Sequence, residues 1–538
     1  MSKLHNERLP IVIQPSEWIW VSFWILLIVT LTTVSYFYGA SISTPDYQFG
    51  GFVIGIEDGN SYLAKMQEGR AGYWRFYLSY TPEAHQSEIF FLYYLGLGHL
   101  SRLFQLEPIV LLSLSRLVTI PFCLVTFYIF TAGFTRQVLV RRVALLLFGL
   151  TAGFGGLWLL LGFPAELGSM PVDLWVPDAS FFLSALTFPH LPLAQGLLLW
   201  VVIGGLKFLQ DGHWGWWGIA AGAGLLMSLI HPHKLVVLSA IFGAFIVWQA
   251  YQEPSRLWQQ AVRWTFIVLP SVPYLIYVVW VFETNFAFKA WRDQSLTYSP
   301  APIHYILGFG LTLPLAILGL WQCYRRQTPG FSFLMIWVLI VPLLVYFPIP
   351  LQRRFLDGYQ VPLATLAAFG LVWGVEKFRR NWQRMGVISF TIITMSFTNI
   401  ALLAGSMATI SGRQTPIFHS RDQLDAFQWL ATQAQGAVVL STYETGNLLP
   451  AYASVRVFVG HGPETVHSDE KRQLASEFFS ERMSDPQRED LLVTYQVRYL
   501  YYGPNERELG DFSPDDASYL DQVFINERVQ VYTVVGSQ

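Results

Sequence analysis

Two adjacent carboxylates stand where an apolar segment gives way to a helical pattern. Glu57 and Asp58 follow the apolar residues 50–56, and the helical pattern covers residues 61–74. Asp58 is therefore predicted at a helix N-terminus near the bilayer surface, where the helix dipole favours the ionised carboxylate. In that form it can take a proton from a hydroxyl as a general base. Asp at a helix start is commonly a plain N-cap, which the residue taken alone favours, and both interpretations stay open at this point.

Two clusters of basic residues have the chemistry to bind a phosphate group. Arg353 and Arg354 follow an apolar run, and adjacent guanidinium groups suit bidentate contacts with phosphate oxygens. His231, His233 and Lys234 lie between two short apolar runs. Because a polar turn at membrane depth is tolerated where it lines a cavity, these side chains are predicted to contact substrate. The structural alternatives are arginines that snorkel to lipid headgroups and a simple interhelical turn.

Acidic and imidazole side chains on predicted outer loops suggest a divalent metal. Asp58, Asp178 and His190, with His231 as a further candidate, offer ligand types that suit Mg²⁺ or Mn²⁺. These ligands would come from different loops, so their spacing is not diagnostic. The metal is a hypothesis at this stage, and no other cofactor is indicated.

The elements that must position these residues are membrane spans. Of the 538 residues, 53% are hydrophobic and 13% are charged, against about 25% charged residues in soluble proteins. The run Glu17–Ala40 is long enough to cross a bilayer and has no small-residue cleavage site, which favours a retained anchor. Eleven spans are predicted, at residues 17–40, 109–134, 143–162, 190–210, 216–231, 234–250, 264–283, 303–323, 331–348, 358–375 and 386–406.

The basic residues predict how the spans are oriented. Arg136, Arg141 and Arg142 fit a cytoplasmic loop if the N-terminus is cytoplasmic, because short inner loops hold the excess of Lys and Arg. This orientation requires that the apolar stretch Ile89–Phe104 lies at the interface without crossing. The odd number of spans then puts the C-terminus outside, with a first outer loop at residues 41–108. A bacterial inner membrane is the predicted location.

The C-terminal segment has a different composition and pattern. Residues 412–538 hold 10 Lys or Arg and 18 Asp or Glu. The predicted order is a helix near 422–433, a strand near 437–442, a further helix, a strand near 455–460, two polar helices between 469 and 496, and closing strands near 497–503 and 529–535. Residues 444–447 and 461–464 either face the membrane cavity or are ordinary loop residues, and the second interpretation is favoured.

The fold class is therefore predicted to be mostly α. A polytopic α-helical membrane domain at residues 1–410 precedes a small extracytoplasmic α/β domain at residues 411–538. Nucleic-acid binding is excluded because Lys and Arg are sparse, and a nucleotide-driven pump has no support without a P-loop. Cys123 and Cys323 lie in or beside apolar runs, which excludes a disulfide framework and a cysteine-based metal site.

The first outer loop resembles that of the GT-C glycosyltransferase superfamily, which includes the protein O-mannosyltransferases and the lipid A aminoarabinose transferases. In those enzymes an acidic residue follows the first membrane helix, and two surface helices precede the second span. The similar positions follow the first span or belong to the second: Asp58, Tyr62, Ala64, Gly69, Trp74, residues 80–83, Glu88, Arg116, and Arg136 to Arg142. Glu88 is predicted to open the second surface helix.

The chain also departs from the superfamily pattern. Glu57 and Asp58 stand where many relatives have Asp-Glu, and Gln86-Ser87-Glu88 stands where some have Lys-Pro-Pro or His-Pro-Pro. The acidic residue is therefore carried over, but the contacts made by the Lys-Pro-Pro or His-Pro-Pro run are not. No subfamily is assigned.

The resemblance implies a membrane glycosyltransferase that moves a sugar from a polyprenyl-phosphate donor to a hydroxyl of a lipid, glycan or protein acceptor. It implies that Asp58 is the catalytic base and that Glu57 and Glu88 contact substrate, with membrane lipids as the other partners. One rival hypothesis is a polytopic transporter or lipid flippase, in which His231 and Lys234 would mark a substrate path. Another is a non-catalytic scaffold in which Asp58 only caps a helix.

Overall fold

The computed structural model describes residues 11–162 and 169–536, which form two compact units. The helical unit consists of residues 11–35, 114–276 and 297–408, apart from the undescribed residues 163–168. The sheet unit consists of residues 36–113, 277–296 and 409–536. All the strands described below belong to the sheet unit.

The chain is mostly helical, as predicted. The helices are α1 Pro15–Ser41, α2 Ile56–Ala71, α3 Leu92–Phe104, α4 Pro108–Ala132, α5 Val138–Leu150, α6 Gly155–Leu160, α7 Phe181–Thr187, α8 His190–Asp211, α9 Trp214–Ile230, α10 His233–Gln252, α11 Leu257–Val268, α12 Val272–Thr284, α13 Phe286–Gln294, α14 Pro302–Phe309, α15 Thr312–Arg326, α16 Phe331–Leu344, α17 Gln360–Val375, α18 Asn381–Met395, α19 Phe397–Ser411, α20 Arg421–Gln433, α21 Tyr443–Tyr452, α22 Ser468–Phe478, α23 Asp485–Thr494 and α24 Pro504–Arg507.

The predicted spans coincide with apolar helices. Within the described residues, seven helices are long and apolar enough to cross a membrane: Pro15–Ser41, Pro108–Ala132, Val138–Leu160, His190–Asp211, His233–Gln252, Pro254–Thr284 and Gln352–Val375. Two bent pairs, α14 with α15 and α18 with α19, raise the number to nine if each pair is one span. The other two predicted spans match the shorter apolar helices α9 and α16. The criterion of length and composition thus accepts seven to nine of the eleven.

Close helix packing builds the core of the helical unit. Helix α17 is buried along almost its whole length and packs against α5 and α15. A Cβ atom on Gly319 would meet the carbonyl oxygen of Leu366, and one on Gly370 would meet that of Leu315. The α15–α17 contact therefore depends on small residues, which let the two helix backbones approach closely. Such close packing stabilises helix pairs in a bilayer, where no hydrophobic driving force acts between them.

Arg116, one of the positions of the superfamily resemblance, is buried in α4. Its guanidinium group donates to the carbonyl oxygens of Ala185 at 2.9 Å and Leu186 at 3.3 Å, and also to that of Thr187. These carbonyls belong to the last turn of α7, where intrahelical donors run out. Arg116 thus fixes the C-terminus of α7.

A five-stranded sheet forms the core of the sheet unit. Its strands are β3 Val438–Leu440, β4 Arg456–Val457, β5 Val497–Tyr502, β6 Leu520–Ile525 and β7 Gln530–Val534, in the order β4-β3-β5-β7-β6. Strand β3 is parallel to β4 and β5, whereas β7 is antiparallel to β5 and β6. The predicted order of helices and strands is confirmed, and β6 was not predicted. A separate antiparallel pair joins β1 Tyr47–Phe49 to β2 Phe418–Ser420.

The two helices of the first predicted loop pack against each other in the sheet unit. A Cβ atom on Gly69 would meet the carbonyl oxygen of Leu95, and one on Gly98 would meet that of Met66. Glu88 does not open the second helix, and this prediction was wrong. It instead forms an antiparallel bridge with Phe76, and α3 begins four residues later at Leu92.

Candidate functional site

The acidic pair lies in the first turn of α2, after a helix start formed by backbone geometry alone. Gly55 precedes the helix in the left-handed conformation, with φ 66°, and no side chain caps the helix. Glycine adopts this conformation without the steric cost that a Cβ imposes. Asp58 is therefore not the N-cap, and that alternative interpretation is wrong. Both carboxylates are still favoured by the positive end of the helix dipole.

Glu57 is held by donors from the C-terminal segment. Its Oε1 accepts hydrogen bonds from the hydroxyl of Tyr443 at 2.5 Å and from the backbone N–H of Gly462 at 2.9 Å. Burial, reinforced by the Glu57 carboxylate, raises the pKa of Tyr443, so the phenol stays a donor. Glu57 thus links α2 to Tyr443 at the start of α21 and to the backbone at Gly462.

Asp58 differs from its neighbour in exposure and partner. Its side chain is 59% exposed, and its Oδ1 lies 3.5 Å from Nε2 of His461, whose own side chain is 5% exposed. Although burial lowers the pKa of His461, the Glu464 and Asp58 carboxylates raise it above the ordinary value. The carboxylate of Asp58 is therefore accessible to solvent and contacts a buried imidazole.

A buried ion pair lies next to this imidazole. Oε1 of Glu464 accepts from the ammonium of Lys65 at 2.7 Å and from the hydroxyl of Ser61 at 2.8 Å, and all three residues are buried. Burial raises the pKa of Glu464, but Lys65 and then His461 outweigh it and hold the pKa below its usual value. Glu464 is therefore ionised, and its position is fixed by donors from α2.

Glu88 lies elsewhere in the sheet unit and is also buried. Its carboxylate accepts hydrogen bonds from the hydroxyl of Tyr277 at 2.7 Å and from the side-chain amide of Asn285 at 3.1 Å. The guanidinium of Arg75 lies 3.5 Å away. These protein donors occupy the carboxylate, while its predicted role in substrate binding stays a prediction.

The predicted basic cluster of the helical unit surrounds a carboxylate that the sequence did not single out. Oδ2 of Asp357 lies 2.5 Å from the ammonium of Lys234, 3.3 Å from Nδ1 of His231 and 3.7 Å from Nε2 of His233. The ring of His190 stands nearly perpendicular to that of His231, with centroids 5.1 Å apart. The structure thus brings Lys234, His231 and His233 together around Asp357, with His190 beside His231.

The two predicted arginines and Asp178 interact electrostatically with this cluster. Burial and then the charge of Asp357 raise the pKa of Asp178 to about 6, and Arg354, Lys234 and Arg353 oppose the rise. The guanidinium of Arg353 lies 4.4 Å above the ring of Trp175, and Arg354 is exposed. Formal charges favour the binding of an anion here, because three permanent cations face two carboxylates.

Three of these side chains also have the spacing of metal ligands. The ligand atoms of His231, His233 and Asp357 all lie within 4.8 Å of one another, and Nε2 of His233 is buried without a hydrogen-bond partner among the described residues. Two imidazoles and one carboxylate suit a transition metal better than Mg²⁺. The ammonium of Lys234 already contacts the same oxygen of Asp357, so a dication would meet a positive charge. The group fits a metal in spacing but not in charge.

Several residues of these clusters escaped sequence interpretation. For His461 and Glu464 the sequence favours an ordinary loop over a position that faces the membrane cavity, and it singles out neither Lys65 nor Asp357. One signal was present for Lys65, since positions 58, 61 and 65 are separated by three and then four residues, which places them on one helix face. The partners of Asp58 and Lys65 are about 400 positions away in the chain, which no local pattern reveals. Asp357 lies three residues after Arg354, and a buried carboxylate beside basic residues is the expected partner of a buried lysine.

The fold of the chain is similar to those of several solved structures. No protein-family model matches the chain, and no curated protein matches its sequence. Among solved structures, it resembles the oligosaccharyltransferase AglB from Archaeoglobus fulgidus in complex with an inhibitory peptide and a dolichol-phosphate. That match has a TM-score of 0.55 and 12% identity, and it covers 91% of this chain and 70% of that one. Another structure of the Archaeoglobus enzyme, with Zn and sulfate, matches with a TM-score of 0.52 and 12% identity over 89% and 67% of the two chains.

The apo structure of ArnT from Cupriavidus metallidurans is also similar. Its TM-score is 0.52 and its identity 13%, over 95% of this chain and 98% of that one. Identities this low establish the fold alone. The apolar helices and this shared fold identify an integral membrane protein, and the resemblance to the GT-C superfamily is confirmed at the level of the fold.

Proposed function

We propose that this protein is a membrane glycosyltransferase that moves a sugar from a polyprenyl-phosphate donor to a hydroxyl of a lipid, glycan or protein acceptor. The observation that supports this most directly is Asp58. Its carboxylate is mostly exposed and contacts the buried imidazole of His461. The fold of the chain is similar to the folds of AglB and ArnT. The dolichol-phosphate bound by AglB is a lipid phosphate of the proposed class.

The proposed reaction uses Asp58 as a general base. The acceptor oxygen forms a bond to the anomeric carbon while the bond from that carbon to the phosphate oxygen breaks, and the electron pair leaves with the lipid phosphate. The acceptor proton passes to Asp58. Glu57 is the poorer candidate, since protonation of its carboxylate would weaken the bonds from Tyr443 and Gly462. Glu57 instead supports the position of Asp58 from the adjacent residue.

Lys234, Arg353 and Arg354 are the proposed cations for the leaving phosphate. Preorganised positive groups stabilise charge that develops in the transition state. His231 and His233 have no charge to contribute when neutral, but as hydrogen-bond donors they can contact phosphate oxygens. The rival function is that of a transporter or flippase, in which the same buried charges would line a substrate path. It predicts lipid movement without a new glycosidic bond, which the transfer assays below distinguish.

The proposed orientation puts the N-terminus in the cytoplasm and residues 411–538 outside a bacterial inner membrane. Single-cysteine variants Tyr73→Cys and Gln137→Cys place exposed thiols in the first loop and beside Arg136, whereas Cys123 and Cys323 are buried. An impermeant maleimide applied to intact spheroplasts should label position 73 but not 137. The reverse pattern would overturn the orientation.

The divalent metal predicted at Asp58, Asp178 and His190 stays a prediction. The positive surroundings of Asp178 favour an anion in that part of the helical unit. We therefore expect EDTA-treated protein to keep most of its transfer activity, measured with radiolabelled donor. A loss that Mn²⁺ or Mg²⁺ reverses would instead support the metal and count against binding of phosphate by side chains alone.

Replacing the two arginines by lysine tests the phosphate-binding role. Arg353→Lys and Arg354→Lys keep the charge but lose the planar fork, so turnover should fall at least about tenfold, the equivalent of one charge-assisted hydrogen bond. Arg325→Lys is the matched control, because Arg325 also stacks on a tryptophan, at 4.6 Å from the ring of Trp321. Equal turnover in all three variants would leave headgroup snorkelling as the better explanation.

The substitution Asp58→Asn tests the base directly. Asn is nearly isosteric with Asp, and the helix start does not depend on this side chain, so the fold should survive while transfer falls at least about 10²-fold. Glu57→Gln is the matched control, since the amide oxygen still accepts from Tyr443 and Gly462, and its transfer should stay close to that of the natural protein. An inactive Glu57→Gln beside an active Asp58→Asn would move the base by one residue. Full activity in both variants would refute the mechanism.

A further inference from the structure

We infer that His461 is a positioning residue that orients Asp58 for catalysis, so that the C-terminal segment of the chain completes the catalytic group. The inference rests on the proposed function and adds a residue to it. Nothing in the local sequence around Asp58 indicates such a partner. The contacts that carry the inference all lie within the sheet unit.

The hydrogen bonds of His461 assign its tautomer. The backbone N–H of Glu464 lies 3.3 Å from Nδ1 of His461 and can only donate, so Nδ1 acts as the acceptor. The ring proton of the neutral imidazole is then on Nε2, which faces Oδ1 of Asp58 at 3.5 Å. Whether the ring is neutral or protonated, Nε2 carries a proton toward the carboxylate.

The surroundings of His461 restrict its movement. Its ring packs against Tyr80, with centroids 5.4 Å apart, and the hydroxyl of Thr465 accepts from its backbone N–H at 3.3 Å. The titratable and charged groups that influence it are Asp58 and Lys65 from α2 and Glu464 from its own segment. Because Lys65 and Ser61 fix Glu464, the segment that carries His461 is anchored to the helix that carries Asp58.

A donor on one carboxylate oxygen has two effects on a base. It restricts rotation of the carboxylate, which keeps the other oxygen directed toward the acceptor, and misplacement of a reacting group by about 1 Å can cost about 10²-fold in rate. It also stabilises the ionised form, so Asp58 stays deprotonated at lower pH. Loss of the donor should therefore reduce turnover and move the acidic limb of the rate profile to higher pH.

The test compares three substitutions in the full-length protein in detergent. His461→Phe keeps an aromatic ring against Tyr80 but has no donor, whereas His461→Gln retains an N–H that can reach the carboxylate. His99→Phe is the control, because His99 is a histidine of the same unit that stacks on Trp74, and its Nε2 bonds to the carbonyl oxygen of Tyr73 at 3.1 Å. Transfer is measured with radiolabelled polyprenyl-phosphate sugar at several pH values, and thermal unfolding is followed for each variant and for Asp58→Asn combined with His461→Phe.

The expected result is a fall in kcat of about 10- to 100-fold in His461→Phe with little change in KM, a shift of the acidic limb to higher pH, and partial rescue in His461→Gln. The stabilities of the single and double variants should be non-additive, as for groups in contact. Natural turnover and an unchanged pH profile in His461→Phe would overturn this inference alone. Absence of transfer in the natural protein, with non-additive stabilities intact, would overturn the proposed function and the inference with it.

Discussion

The buried ion pair between Lys65 and Glu464 is the contact on which the arrangement of the sheet unit depends. Removing one partner of a buried pair typically costs about 3–5 kcal/mol, because the other charge is left without compensation. The two residues are 2.7 Å apart in space but nearly 400 positions apart in the chain. Once this pair forms, the segment that begins at His461 lies against α2. The hydrogen bonds from Tyr443 and Gly462 to Glu57 and the contact between His461 and Asp58 then follow from the same docking.

Asp357 imposes a similar constraint within the helical unit. A carboxylate among apolar helices is tolerated only when a cation and hydrogen-bond donors compensate for lost water, and Lys234 with two histidines fills that role. The turn at 231–234 therefore cannot be a simple connection, since its side chains neutralise a charge on another element. In both polar clusters, each buried carboxylate is neutralised by a buried lysine at a short distance. These ion pairs explain why both clusters have a fixed geometry.

Much of the fold could be predicted because its signals are local. Within the described residues, apolar length identified seven to nine helices that can cross a membrane, and alternation identified most strands of the C-terminal segment. The cluster partners could not be predicted, because His461 and Glu464 meet α2 only through long-range packing. The prediction for Glu88 was wrong for a related reason: its backbone pairs with Phe76, and its carboxylate is bonded by Tyr277 and Asn285, which are distant in the chain. The N-cap interpretation of Asp58 failed because Gly55 starts the helix by its own conformation.

The two neighbouring carboxylates show how packing assigns different roles to similar residues. Oε1 of Glu57 accepts from a phenol and a backbone N–H, and protonation of that carboxylate would remove the negative charge that strengthens both bonds. Asp58 is mostly exposed, and its Oδ1 lies 3.5 Å from Nε2 of His461. The same docking therefore immobilises Glu57 while the side chain of Asp58 stays mostly exposed, and the proposed assignment of Asp58 as the general base rests on this difference.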